Sequence, residues 1–401
     1  MDSIFEALPG FALRAAVASF LSIAALLLFI AARRFYRGRY FQKLDEQAFS
    51  FRHHWNDVVT FRVPAKRWRR DKFKRAVVER IVLDRIETCS EADRKILQEF
   101  VRRSALMERR VWESKAGSRH QKRDALLALG RTMMPEFVKV LEEALENHDS
   151  YLQEAATRAL GQIGTPAAAL AILRVVAAGK LRVSHLNVKD TLVRCSRPDP
   201  KLLVRYLDTG KDTHVLVARV LGEVANADVA EDLALLARDA ESEIRASAAR
   251  GLAHAEPLFG VAALSELAMD EVWFVRLRAV VSLASLRHPA SMPALLATIC
   301  DVNRSVRQRT AAALAQLPSE LLPVIIDRVS ATHDKYALHA LISELERIGA
   351  CSGLIVQLSD KQALESDQGR NLLHAVEEAR KQIADKRSGV RAAIEAVMGH
   401  A

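Results

Sequence analysis

The feature that most constrains the fold of this chain is an internal repeat with a period of about 31 residues. Four segments align without gaps: LQEAATRALG, IRASAARGLA, VRLRAVVSLA and VRQRTAAALA. Their ninth residues are Leu160, Leu252, Leu283 and Leu314. Weaker copies place Leu129, Leu192, Leu221, Leu345 and Val376 at the same slot, and the period changes only near Leu192. A regular period of this kind indicates stacked copies of one supersecondary unit.

The pattern inside each copy is that of an amphipathic helix. Apolar residues occupy slots one, five and nine, which form one stripe of a helix with 3.6 residues per turn. A second apolar segment precedes each copy, as in 135–145, 230–237 and 293–299. No single unit could bury its apolar stripe alone, so the units must stack. The repeat therefore predicts an all-α solenoid of about eight or nine helical pairs over residues 116–380.

Composition excludes several other classes of protein. The chain of 401 residues is 50% hydrophobic and 27% charged, so it can bury a large core and is not a disordered chain. Aromatic residues make up only 6%, too few for a typical base-stacking surface. The four cysteines form no CxxC pair, which argues against a disulfide scaffold and suits a reducing compartment.

An apolar run near the N-terminus predicts a membrane anchor. Residues 15–32 carry no charge, and residues 11–32 together make 22 residues, or about 33 Å of helix. A cleaved signal peptide is the competing interpretation, but the preceding segment 1–10 is acidic rather than basic. We therefore predict an extracytoplasmic tail over 1–10 and a single transmembrane helix over 11–32.

The residues after this run predict both orientation and a membrane-facing surface. Residues 33–80 contain 15 Lys or Arg and 5 Asp or Glu, a net charge of +10 that equals the charge of the whole chain. The positive-inside rule places the following bulk in the cytoplasm, beginning with a basic juxtamembrane helical segment over 33–115. Attraction to anionic lipid explains the charge, with a solvated helix face and nucleic-acid binding as alternatives. The predicted membrane-surface residues are Arg33, Arg34, Arg37, Arg39, Lys66, Arg67, Trp68, Arg69 and Arg70.

The repeat pattern Asp-x4-Val-Arg-x2-Ala-Ala-x-Ala-Leu-Gly resembles HEAT repeats, in particular the short class found in phycobilin lyases. In that family, Asp and Arg residues of this pattern form a structural ladder between repeats. The resemblance implies the same role for Asp208, Asp239, Asp270 and Asp301 and for Arg245, Arg276 and Arg307. It covers about two thirds of the chain, and the fold by itself does not define a function.

Motifs of catalysis and cofactor binding are missing from the sequence. It contains no GxGxxG or GKS/GKT phosphate loop, no GxSxG elbow and no HExxH pair. The 12 histidines are dispersed. We therefore expect no enzymatic activity and predict no catalytic residue, cofactor or metal site.

One recurrent position off the apolar stripe predicts a binding surface. The seventh slot holds Arg158, Arg219 and Arg250, and the fourth slot of the next two copies holds Arg278 and Arg309. In HEAT-like solenoids the second helices line the concave side, so we expect a basic stripe there. Trp273 and Phe274 stand just before the first slot of their copy, and Arg and aromatic residues commonly anchor protein interfaces. The alternative is that the arginines are solvated and the aromatic rings pack under loops.

Together these features predict a membrane-anchored scaffold that binds and positions or regulates another protein. The location expected is the bacterial inner membrane, with one span and a cytoplasmic solenoid that ends in a tail helix over 381–401. The resemblance implies envelope polysaccharide or glycosyltransferase machinery as a partner. It also leaves open a lyase or isomerase similar to the phycobilin lyases. Nucleic-acid binding through the basic segment is the third, less favoured interpretation.

Overall fold

The computed structural model describes residues 2–60, 62 and 66–350. Within these residues the regular structure is helical throughout, so the predicted all-α repeat fold is confirmed. The chain divides into two compact units, residues 1–137 and 138–401. The predicted last copy at Val376 and the tail helix over 381–401 lie outside the described residues.

The first unit begins with a single long helix, α1 (Asp2–His53), which runs through the predicted span and the start of the basic segment. Its part Ser19–Phe49 contains a strongly apolar window, none of which is buried. The helix is therefore long and apolar enough to cross a membrane. The remaining helices are α2 (Trp55–Val59), α3 (Lys66–Arg69), α4 (Lys72–Thr88), α5 (Glu91–Ser104), α6 (Glu108–Ala116) and α7 (Arg119–Arg131).

The core of the first unit corrects one of the membrane-surface predictions. Trp68 is only 1% exposed, and its ring lies 6.0 Å from that of Phe100 between ring centres. A side chain buried in this way cannot face lipid headgroups, so its assignment to the membrane surface is wrong. The neighbouring Arg69 and Arg70 are exposed, and Arg69 pairs with Glu108 at 3.0 Å.

The other predicted membrane-surface residues are on α1 or outside the described side chains. Arg33, Arg34, Arg37 and Arg39 are all exposed. The guanidinium of Arg39 lies 4.9 Å from the ring centre of Phe35. The side chains of Lys66 and Arg67 lie outside those that the structure describes.

Two buried carboxylates of the first unit share one arginine. Arg110 donates to Glu79 at 2.7 Å and to Glu113 at 2.8 Å, and Arg109 donates to Glu113 at 2.6 Å. Both glutamates are buried. Buried carboxylates need such paired donors, so this cluster is explained by the stability of the unit.

The second unit consists of successive helical pairs between Val138 and Arg347. The pairs are α8 (Val138–Leu145) with α9 (Ser150–Ile163), α10 (Pro166–Ala177) with α11 (His185–Ser196), α12 (Lys201–Val204) with α13 (Lys211–Val224), α14 (Ala230–Leu236) with α15 (Ser242–Gly251), α16 (Pro257–Leu267) with α17 (Trp273–Leu286), α18 (Met292–Thr298) with α19 (Arg304–Leu314), and α20 (Leu322–Ala331) with α21 (Lys335–Arg347).

The second helices pack against one another in chain order, from α9 to α21. Each buries the stripe that the repeat predicts, and the ninth-slot leucines are fully buried: Leu160, Leu192, Leu221, Leu252, Leu283, Leu314 and Leu345. A Leu core residue at the same slot of every copy explains why the spacing is maintained over so much of the chain. The packing also places the intervening slots of neighbouring second helices side by side.

Candidate functional site

A ladder of charged side chains joins consecutive copies of the second unit. Arg245 donates from Nε and Nη2 to the two carboxylate oxygens of Asp270, at 2.7 and 3.0 Å. Its Nη1 donates to the carbonyl oxygens of Asp239 and Ala240, each at 3.0 Å. One guanidinium thus ties the loop of its own copy to the aspartate of the next.

The rung in the next copy repeats this geometry. Arg276 donates to Asp301 at 2.6 and 3.0 Å and to the carbonyl oxygens of Asp270 and Glu271 at 2.7 and 3.0 Å. The side chains of Asp270 and Asp301 are 8% and 6% exposed. Burial alone would raise the pKa of each aspartate, but the arginine and backbone donors hold both pKa values below the ordinary range.

The arginine–aspartate pairs of the ladder are replaced by other residues at its two ends. Arg307 donates to the carbonyl oxygens of Asp301 and Val302, but Thr332 stands where the repeat would place the next aspartate. At the other end, the arginine slot of the preceding copy holds His214, whose Nε2 lies 2.9 Å from Asp239. Two copies before His214, Gln153 fills the same slot and donates to the carbonyl oxygens of Leu145 and Lys180. His214 precedes Arg245 by one period of 31 residues, so the repeat could have identified it in the sequence.

His214 makes one rung of the ladder sensitive to pH. Burial lowers its pKa, but the hydrogen bonds to Asp239 and the Leu207 carbonyl, with the charges of Asp239 and Asp208, raise the pKa above 6.5 overall. Protonation therefore stabilises the folded state. This stabilisation is complete below about pH 6.5 and is lost as the pH rises through the raised pKa.

We expect the free energy of unfolding to fall by roughly 0.5–1.5 kcal/mol as the pH rises through this range, the net contribution of one ordinary intramolecular hydrogen bond. A His214→Arg variant keeps its charge and should lack this component. Denaturant unfolding of both proteins at a series of pH values, followed by circular dichroism, measures the difference. Parallel pH profiles for the two proteins would contradict the assignment.

A groove of about 690 Å³ lies across the second helices from α11 to α19. Four of the five arginines of the predicted stripe line it: Arg219, Arg250, Arg278 and Arg309. Phe274 lines it as well. Arg158, on α9, is exposed but does not line the groove, and neither does Trp273 at the start of α17.

The groove also contains charged residues that the sequence did not single out. Glu223 accepts from Lys189 and Arg250, both at 2.8 Å, and Glu243 pairs with Arg219 at 3.1 Å. Lys189 belongs to the irregular copy, and Glu223 follows the ninth slot of its own copy by two residues. Neither stands at the repeat slots that hold the arginines, so the repeat period gave no signal for them.

Two cations of the groove have no ion-pair partner within residues 2–60, 62 and 66–350. Arg278 and Arg309 form no hydrogen bond or ion pair with any residue in the described part of the chain. Burial lowers the pKa of Arg278, and the nearby charge of Arg250 lowers it further. The groove thus presents donors that are ready to bind an anionic group.

The described residues offer little support for a metal site or a nucleophilic cysteine. They contain no group of three or more His, Cys, Asp or Glu side chains placed to hold a metal ion. Burial raises the pKa of the Cys195 thiol to about 12, so this cysteine is a poor nucleophile. The groove is therefore the best candidate site for binding.

Comparison with known proteins agrees with the repeat architecture. Residues 114–181 match the family model of HEAT repeats. The matched segment lies at the start of the repeat series and includes the copies whose ninth residues are Leu129 and Leu160. No curated protein matches the chain.

Several solved structures are similar to this chain at low identity. An engineered protein is 18% identical, with a TM-score of 0.35, over 76% of this chain and 95% of that one. Kap121p is 14% identical, with a TM-score of 0.39, over 81% of this chain and 44% of that one. The phycocyanin lyase complex from Nostoc sp. PCC7120 is 16% identical, with a TM-score of 0.25, over 63% of this chain and 94% of that one.

Proposed function

We propose that the protein is a membrane-anchored scaffold that holds a partner protein in the groove of its second unit. The proposal rests on the groove itself, where Arg278 and Arg309 lie near Phe274 and have no ion-pair partner among the residues that the structure describes. Arginine and aromatic side chains on a rigid surface are frequent anchors of protein interfaces. The second helices that form the groove are fixed by the ladder and by the buried leucines, so the groove is formed before a partner binds.

The anchor in this proposal is α1. Its apolar part is exposed along the whole window, and a surface of that kind is stable in lipid but costly in water. The basic residues that follow it favour retention of the second unit on the cytoplasmic side of a bacterial plasma membrane. The scaffold would then act on partners at that membrane.

Site-specific photo-crosslinking in intact cells tests this function. A benzoylphenylalanine at Leu277, which lines the groove, should give one discrete adduct with a membrane protein. The matched control places the same group at Leu235 of α14, which is 73% exposed and outside the groove, and should give none. A chain lacking residues 2–32 should leave the membrane fraction and lose the adduct. An adduct from Leu235 but not from Leu277 would contradict the proposed site.

A further inference from the structure

The described side chains that line the groove carry a net positive charge. Among the described residues, five cations and two carboxylates line it. Both carboxylates are already engaged, because Glu223 lies between Lys189 and Arg250, and Glu243 pairs with Arg219. The net surplus therefore resides at Arg278 and Arg309. An occupant that complements the groove must bring negative charge to α17 and α19.

The shape of the uncompensated groups favours carboxylates as their counterparts. A guanidinium presents its donors in a planar fork that a carboxylate can meet with two parallel hydrogen bonds. Arg278 is half-buried and close to Arg250, whose like charge makes an unpaired state unfavourable. A bound carboxylate relieves both the repulsion and the missing hydrogen bonds.

An apolar strip runs along the same helix face as Arg278. Phe274, Leu277 and Val281 are three or four residues apart, so they share one side of α17, and all three line the groove. Val281 remains 38% exposed. An occupant therefore gains by covering this strip with apolar side chains placed between its acidic ones. A nucleic acid would gain less, because Phe274 is the one aromatic ring among the groove residues described.

The spacing of the cations selects a backbone conformation. Arg278 and Arg309 occupy the same slot of two successive second helices, α17 and α19, and packed helices have axes about 8–10 Å apart. A polyproline II segment has three residues per turn and rises about 3.1 Å per residue, so every third side chain returns to the same side after about 9 Å. A β-strand returns a side chain to the same face every second residue, after about 7 Å, which fits this spacing less well.

We infer that the groove binds an extended segment of a partner protein with an acidic residue at every third position and apolar residues between. Its carboxylates meet Arg278 and Arg309, and its apolar side chains cover Phe274, Leu277 and Val281. This inference rests on the proposed function, since it specifies the partner chemistry of the same groove.

Fluorescence anisotropy with synthetic peptides and the full-length protein in detergent micelles tests the inference. The probe is a labelled peptide of about twelve residues built from Glu-Pro-Leu, which extends over about 37 Å as polyproline II. A second peptide has the same composition but with its glutamates adjacent, and a third replaces every glutamate with glutamine. A single-stranded oligonucleotide with the same number of charges serves as the fourth probe.

The spaced peptide should bind at least about tenfold more tightly than the clustered one, and the glutamine peptide should not bind. Arg278→Glu with Arg309→Glu should weaken binding by at least about a hundredfold, because like charges then face each other. The control pair Arg158→Glu with Arg304→Glu changes the net charge equally outside the groove and should shift binding less than about threefold. Circular dichroism confirms that both variants fold.

Three results would overturn the inference. The first is equal binding of the spaced and clustered peptides, and the second is an equal loss of binding in both double variants. The third is an oligonucleotide that binds through the same two arginines more tightly than the spaced peptide does. Failure of the inference can be separated from failure of the scaffold function. If the adduct from Leu277 still forms in cells and disappears with Arg278→Glu and Arg309→Glu while the peptides fail, the scaffold stands and its partner has other chemistry.

Discussion

Replacing Arg276 with alanine is expected to lower the free energy of unfolding by about 3–5 kcal/mol. The substitution removes the two hydrogen bonds to Asp301 and the two to backbone carbonyls of its own loop. The buried carboxylate of Asp301 then keeps the backbone amide of Asn303 as a donor and the nearby charge of Arg307, but it loses its ion-pair partner. An unpaired buried charge costs more than the pair contributed, which places this effect among the largest that a single change can have here.

Arg307 provides a matched control within the same chain. It occupies the same slot of the following copy and donates to the equivalent carbonyls, but Thr332 replaces the aspartate across the repeat. Arg307→Ala should therefore cost only about 1 kcal/mol, since no carboxylate is left unpaired. Denaturant unfolding of the full-length protein in micelles, followed by circular dichroism, gives both values. Equal losses would show that the arginine–aspartate pairs do not stabilise the ladder.

The repeat period explains why so much of the second unit could be predicted from the sequence. The ninth-slot leucines recur because each stands in the same environment of two packed neighbours, and that environment leaves a periodic trace. The ladder at Arg245 and Arg276 is visible for the same reason. The roles of His214 and Gln153 were not predicted, because these residues bridge neighbouring segments with side chains other than arginine. A search for arginine at this slot therefore does not find them.

The burial of Trp68 and the ion pairs of Glu223 could not be predicted from the sequence pattern. Trp68 is surrounded by arginines in the sequence, but its partner Phe100 lies on a different helix and in no repeat relation to it. Glu223 joins Lys189 and Arg250 from two other helices, at separations of 34 and 27 residues. Both contacts depend on how helices pack, and packing at unequal separations leaves no period to detect.

Gly222→Ala is expected to destabilise the protein by about 2–3 kcal/mol, although alanine is by about 1 kcal/mol the better helix former. Gly222 lies on α13, where a Cβ atom would collide with the carbonyl oxygen of Ser247 on α15 and lie 3.0 Å from its carbonyl carbon. The obstacle is backbone, so it cannot rotate away as a side chain would. The two helices must separate, which loosens the packing on both sides of the contact.

Gly161→Ala is the matched control, because Gly161 occupies the same tenth slot on α9. A Cβ there meets only the side chain of Thr191, the nearest atom at 3.0 Å. That side chain can shift, so the variant should remain within about 1 kcal/mol of the wild type. Denaturant unfolding compares the two, and equal effects would mean that α13 and α15 tolerate a wider separation.

Because Ser247 lines the groove, moving α15 should also weaken binding of the spaced acidic peptide in Gly222→Ala and leave it unchanged in Gly161→Ala. The closeness of two helix backbones at one glycine thus determines the spacing of the cations that the partner meets.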